Sequence, residues 1–151
     1  KRFWKDVLKL GLTPRKTFKL KFPTNSQVSS KYLSHFLRGV FEGDGSVSYV
    51  EKSQSKSINI CCAVKKFLLD IQSKILIRKK IHSVVSYTPS HNLYYLNISS
   101  KNFVDFYDLI YLNAPEDQIL KRKRDKFHEI VKKSKRIKRT LTKKQIRYFN
   151  L

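Results

Sequence analysis

Along the chain, apolar positions change period several times, and each change marks a new element. From about Ser29, the residues Tyr32, Leu33, Phe36, Leu37, Val40 and Phe41 recur at three- and four-residue intervals. That spacing predicts a helix with one apolar side, ending at the glycines around Asp44. SVSYV and SINICCAV then alternate, separated by the polar stretch EKSQSKS, and predict a β-hairpin. KFLLDIQSKILIRKKI, residues 66–81, returns to a helical period with Phe67, Leu68, Ile71, Ile75 and Leu76 inward. HSVVSYT and LYYLNIS predict a second hairpin, turning through Pro89, Ser90, His91 and Asn92. Both faces of HSVVSYT mix polar and apolar residues, which leaves the register of the third strand open. KNFVDFYDLIYL predicts a further helix. Pro115 and two acids predict the start of the last long one, PEDQILKRKRDKFHEIVKKSKR, with acids early and cations late as the helix dipole favours.

At the ends, FWKDVLKL has helical spacing and stops at Gly11, and TPRKTFKLKFP predicts an extended arm. The tail KKSKRIKRTLTKKQIRYFNL is basic, with a faint helical start after Thr140. The order of helix, two strands, helix, two strands and two helices predicts an α+β fold with a mostly antiparallel sheet. Three segments are expected: an N-terminal helix and connecting arm over 1–28, a domain over 29–133, and a basic tail over 134–151. No internal repeat is visible.

Charge narrows the partner. Lys and Arg total 33 against 11 acids in 151 residues, a formal net charge of +22, which points to a polyanion. With 40% apolar and 13% aromatic residues, the cations decorate a folded body. No apolar run approaches the ~20 residues needed to cross a bilayer, so nucleic acid is favoured over a membrane, and no signal peptide is visible. Cys61 and Cys62 are adjacent in a predicted strand, leave opposite faces, and read as free thiols of an intracellular reducing compartment, whether organelle, bacterium or phage-infected cell. The histidines are too scattered for zinc. The absence of methionine suggests a processed chain or a piece of a longer one.

The segment LRGVFEGDG sets two acids among glycines in this otherwise cationic chain. Gly39 and Gly43 lie four apart, on one helix face, where missing side chains let another helix backbone approach closely. Asp44 falls where helix gives way to strand. A carboxylate there opposes the helix dipole, at a cost of ~0.3–1 kcal/mol unless a cation compensates, so a cation is expected beside it. The plain alternative is a tight turn whose glycines relieve the backbone and whose acids meet water.

Leu37, Gly39, Val40, Phe41, Glu42, Gly43, Asp44 and Gly45 fit the pattern L-x-G-hydrophobic-hydrophobic-acid-G-D-G, which resembles the motif of the LAGLIDADG homing endonucleases. Arg38 replaces the usual small residue. The α-β-β-α-β-β-α order of residues 29–130 is similar to that family's core, with its saddle-shaped antiparallel sheet. The resemblance implies that two motif helices pack together through Leu37, Gly39, Val40 and Gly43. It makes Asp44, with the Gly43 carbonyl, the ligand of Mg²⁺ or Mn²⁺, and Glu42 a nearby support. A basic residue near the metal falls on Lys123, with Lys121 as alternate, and a second polar position on Lys65 or Lys66. In so basic a chain, the plain alternative for any one lysine is a phosphate contact or a solvated surface residue.

The same resemblance lays the sheet in the major groove of double-stranded DNA. Ser48, Val50, Lys52 and Gln54 would then face the bases, with Ser57, Asn59, Cys61 and Lys65 from the second strand and Tyr95 and Asn97 from the fourth. RKTFKLK, IRKK and KKSKRIKR supply phosphate contacts without sequence choice. One motif is half of a site, so the implied partner is a second copy of the chain or a second repeat, and VLKLGLTPRKTFKLKFP resembles the connection ahead of a second motif. The implied activity is metal-dependent, site-specific double-strand DNA cleavage of the intron- or intein-associated kind. The alternative is a non-cleaving binder such as a maturase that holds intron RNA.

Overall fold

A computed structural model describes residues 2–9, 16–134, 137 and 141–149. Its helices are α1 (Arg2–Lys9), α2 (Leu33–Asp44), α3 (Lys65–Ile71), α4 (Phe103–Tyr111), α5 (Lys121–Lys133) and α6 (Lys143–Tyr148). Its strands are β1 (Gly45–Val50), β2 (Ser55–Cys62), β3 (Ser83–Thr88) and β4 (Leu93–Ile98). The strands form one antiparallel sheet in the order β1-β2-β4-β3, so the two hairpins lie side by side with β2 and β4 in the middle.

Alternation decides which face is covered. Ile58, Ile60, Leu96 and Ile98 are buried and point to the helix layer, where they meet Leu37 and Phe41 of α2, Phe67, Leu68 and Ile71 of α3, Phe103 and Phe106 of α4, and Phe127 of α5. Phe41 sits at the centre, its ring 5.3 Å from that of Phe106 and 5.7 Å from that of Phe127. Val85 packs inward while Val84 is 67% exposed, which settles the register of β3.

Three elements differ from the periodicity. Tyr32 is exposed, because it lies in a 3₁₀ turn (Ser30–Tyr32) ahead of α2. The helical run covers 65–79 rather than 66–81: it widens into a π-turn over Gln72–Leu76, closes with a 3₁₀ turn over Ile77–Lys79, and is ended by left-handed Lys80 (φ 57°). The long helix does not start at Pro115: Glu116–Gln118 make one 3₁₀ turn, Ile119 is extended so that it can enter the core, and α5 begins at Lys121.

Of the expected N-terminal arm, residues 10–15, including the stop at Gly11, lie outside the described residues, and Lys16–Phe18 form a 3₁₀ turn. At the other end a capping box of Thr142 and Gln145 opens α6. Phe149 is buried against Tyr107, with ring centroids 4.9 Å apart, and Gln145 Nε2 donates to Asp108 Oδ2 at 2.8 Å. His128 completes this cluster through a 2.7 Å hydrogen bond between Nε2 and the Tyr107 hydroxyl.

Candidate functional site

Helix α2 runs directly into β1, and Gly45 makes that junction possible. A Cβ there would collide with the ring and carbonyl of Phe41, so the close approach needs glycine. Gly39 and Gly43 are different: both are exposed, and a Cβ on either would meet nothing within 4 Å. Their bareness therefore serves nothing inside the chain. Leu37, expected on the same face, is instead fully buried in the chain's own core, because it stacks one turn before Phe41 on the inward stripe. Val40 is half-buried at the border between the two faces. The open face of α2 thus consists of Gly39 and Gly43, with Val40 at its margin.

Asp44 ends this helix with its side chain exposed. The cation expected beside it arrives from α5. Lys123 Nζ donates to Phe41 O at 2.7 Å and to Gly45 O at 2.5 Å, and lies 5.2 Å from the centre of the Phe41 ring. Its ammonium thereby neutralises the carbonyl end of α2. Burial, helped by Arg122, lowers the pKa of Lys123 from its ordinary value, while the charges of Asp44 and Glu42 act in the opposite direction. Cys61 completes the corner, its thiol donating to Asp44 O at 3.3 Å.

Glu42 returns the favour to α5. Its Oε1 accepts the N–H of Leu120, the N-cap residue of α5, at 2.8 Å, a favourable place for a carboxylate. Each of the two helices therefore caps the other: Glu42 holds the start of α5, and Lys123, one turn on, holds the end of α2. Arg38 strengthens the link. It is only 5% exposed, its Nη1 lies 2.8 Å from His35 Nδ1, and its Nη2 donates to Gln118 Oε1 at 3.3 Å. Periodicity does not reveal these ties, which join residues about 80 apart; the sequence signals are the cation expected beside Asp44 and the charged Arg38 where the motif usually has a small residue.

The remaining candidates separate. Lys66 forms an ion pair with Asp70 at 3.2 Å. Burial would raise the pKa of Asp70, but its bonds to Lys74 and Lys66 hold it below the ordinary value. Lys65 is not on the sheet, because the helical period of Phe67, Leu68 and Ile71 takes over and makes it the first residue of α3. Lys52 and Gln54 lie in the turn between β1 and β2, where Gln54 has φ 52° and its amide donates to Glu51 O at 3.0 Å. Lys121 is exposed at the first turn of α5.

On the outer face of the sheet the strand residues do come together. One cross-strand row reads Ser46, Asn59, Asn97, Val84, and the next toward the α2 end of β2 reads Cys61, Tyr95, Ser86. Ser48 and Ser57 face each other at 2.7 Å, Val50 stands exposed beyond them, and Asn97 Nδ2 donates to Ser86 Oγ at 2.9 Å.

Among the described residues no three His, Cys, Asp or Glu side chains gather into a metal-binding group, and no helix is long and apolar enough to cross a membrane. Phe41 O and Gly45 O accept from Lys123 and Asp44 O from Cys61, so the donors left at Asp44 are its exposed carboxylate and the neighbouring Gly43 carbonyl, too few for a protein cage. They suit a hard cation that keeps most of its water and takes one or two carboxylates.

Among the family models, that of the LAGLIDADG-like domain matches residues 31–111, just over half of the chain. No curated protein and no solved structure matches the chain.

Proposed function

The chain belongs to the LAGLIDADG homing endonuclease family, whose members are DNA endonucleases, generally metal-dependent, and maturases, and from that premise we propose that it cuts both strands of a specific DNA site as an intron- or intein-associated endonuclease. The observation that carries this reading is the exposed Asp44 carboxylate at the end of a helix whose open face is two glycines, with the Lys123 ammonium seated on the carbonyls of Phe41 and Gly45 on either side. A pure binder gains nothing from presenting a carboxylate to phosphates.

In this mechanism the face of Gly39 and Gly43 takes the matching face of a second motif helix, from another copy or another repeat, and brings two Asp44 carboxylates together. Asp44, with the Gly43 carbonyl, would hold a divalent cation, which when bound polarises the scissile phosphate and acidifies a water. Lys123 keeps the helix end neutral and offers a positive charge to the phosphate as negative charge builds on its oxygens. Glu42 keeps α5, and so Lys123, in place. The sheet face holds the duplex in register through its base edges, and the surrounding cations anchor the phosphates. Incubation with a cognate duplex and Mg²⁺ tests this: wild type cuts, and Asp44→Asn binds without cutting. A variant that still cuts removes Asp44 from the mechanism.

A second reading, a maturase that holds intron RNA, draws on one observation. An open cleft of about 530 Å³ in the helix layer is lined by Lys31, Lys74, Arg78 and Lys79 together with Asp105 and Asp108, an excess of cations over acids. If RNA binding depended on Arg78 and Lys79 while duplex binding did not, that reading would be favoured.

A further inference from the structure

The four strands contain a single charged residue, Lys56, in a chain in which 29% of residues are charged. Lys56 stands opposite Tyr49, on the side of the sheet that faces the helices. The outer face of the strands therefore carries no Lys, Arg, Asp or Glu, and its chemistry is that of hydroxyls, amides, the Cys61 thiol and methyl groups.

That composition matters because of what each base pair shows in the major groove. Guanine presents two acceptors, and its commonest specific reader is a bidentate Arg or Lys. The outer strand face has neither. Adenine presents an acceptor beside an amine, the match for an asparagine amide, and thymine adds a methyl group that rewards apolar contact. Asn59 and Asn97 stand side by side across β2 and β4, and Val84, 67% exposed, is the next residue of the same row on β3. Val50, 56% exposed at the end of β1, is a second methyl-bearing side chain presented to solvent. Valine suits a strand by its β-branched shape, and at these two exposed positions it also presents methyl groups suited to thymine. Asn97 Nδ2 donates to Ser86 Oγ at 2.9 Å and to Tyr95 O at 3.3 Å; exchanging one of these bonds for adenine N7 lets Asn97 and Val84, adjacent across the strands, address the two halves of a single A·T pair.

Resting on the DNA-binding reading above, we infer that the base pairs lying beneath the strands are read as A·T-rich sequence. A six-residue strand spans about 20 Å, and base pairs rise about 3.4 Å each, so this window is about six base pairs per half-site. A side chain of the guanine-reading type lies outside it, at the β1–β2 hairpin tip, where Lys52 is exposed. The excess cations act on phosphates and leave the choice of bases to neutral groups.

The test selects duplexes from a randomised library with the full chain, in chelator so that nothing is cut and with excess competitor DNA to suppress charge-driven binding. The expected result is a window of about six A·T-rich pairs in which one G·C replacement lowers affinity roughly tenfold or more. Replacing each thymine of the window in turn by deoxyuracil, which lacks only the methyl, should cost about fourfold at the position under Val84. That cost should vanish in Val84→Ser, which replaces the methyl groups by a hydroxyl at an exposed position. Asn59→Arg should shift one position toward guanine. A window rich in G·C pairs, or one insensitive to every deoxyuracil, overturns the inference and leaves the endonuclease reading standing. Failure to enrich any duplex overturns both.

Discussion

Replacing Gly39 with leucine is expected to stabilise the isolated chain while stopping it from cutting DNA. Gly39 lies in the middle of α2 with ordinary helical backbone, and a Cβ there meets no atom within 4 Å. Gly39 is exposed, so the side chain can extend from an open Cβ position toward solvent, and removing glycine from a helix interior is worth about 0.5–1 kcal/mol. For a domain of this size that corresponds to a rise in Tm of about 1–4 °C. The same leucine projects from the face proposed to meet a second motif helix, where close backbone approach leaves no room for it. Melting should be followed by circular dichroism at low protein concentration, since association would itself raise the apparent stability of the wild type. Cleavage of the cognate duplex should be assayed on the same preparations. A loss of stability of about 1–3 kcal/mol, the usual cost of overpacking, would mean that the chain itself packs on this face. Cleavage at wild-type rate would mean that no second helix does.

Further outcomes follow from the interlocked ends of α2 and α5. Lys123→Met should lower the single-turnover cleavage rate about 100-fold, in the range seen when one transition-state donor is lost, with duplex affinity nearly unchanged in a filter-binding assay. Glu42→Ala should cost about 0.5–2 kcal/mol in denaturant unfolding, as expected for a lost helix cap, and slow cleavage as well; Glu42→Gln, which keeps the acceptor for Leu120 N–H, should recover most of the stability. Burial, aided by Arg124, holds the pKa of His128 below its ordinary 6.5. The unfolded chain then takes up this proton first as the pH falls, so the contribution of His128 to stability is complete above about pH 6.5 and is lost as the pH drops through the window below it. Melting temperatures measured across that window should decline in wild type and decline less in His128→Gln.

The sequence was most informative where chemistry is local. Alternation in SINICC placed Ile58 and Ile60 inward because neighbouring strand residues must leave opposite faces. The glycines around Asp44 marked a helix end that the structure also has. Legibility ended where a residue's role depends on a distant partner. Leu37 belongs to the motif by pattern but to the core by contact, because Phe41 one turn later fixes the inward stripe. Pro115 and its acids have every mark of a helix start, yet burying Ile119 outweighs local preference and moves the start to Lys121. Lys52, Gln54 and Lys65 fell just beyond strand ends, where period-two counting runs on without the hydrogen bonds that define a strand. Glu42 and Lys123 were each legible as charged residues, but their mutual capping requires the fold.

Strand-resolved cleavage of the selected duplex in Mg²⁺, comparing wild type with Asp44→Asn at protein concentrations that saturate binding, bears most directly on the function proposed for Asp44. One cut in each strand by the wild type, and an intact but fully bound duplex with the variant, is the expected outcome. Two uncut strands under saturating wild type, or a variant that cuts as the wild type does, would contradict it.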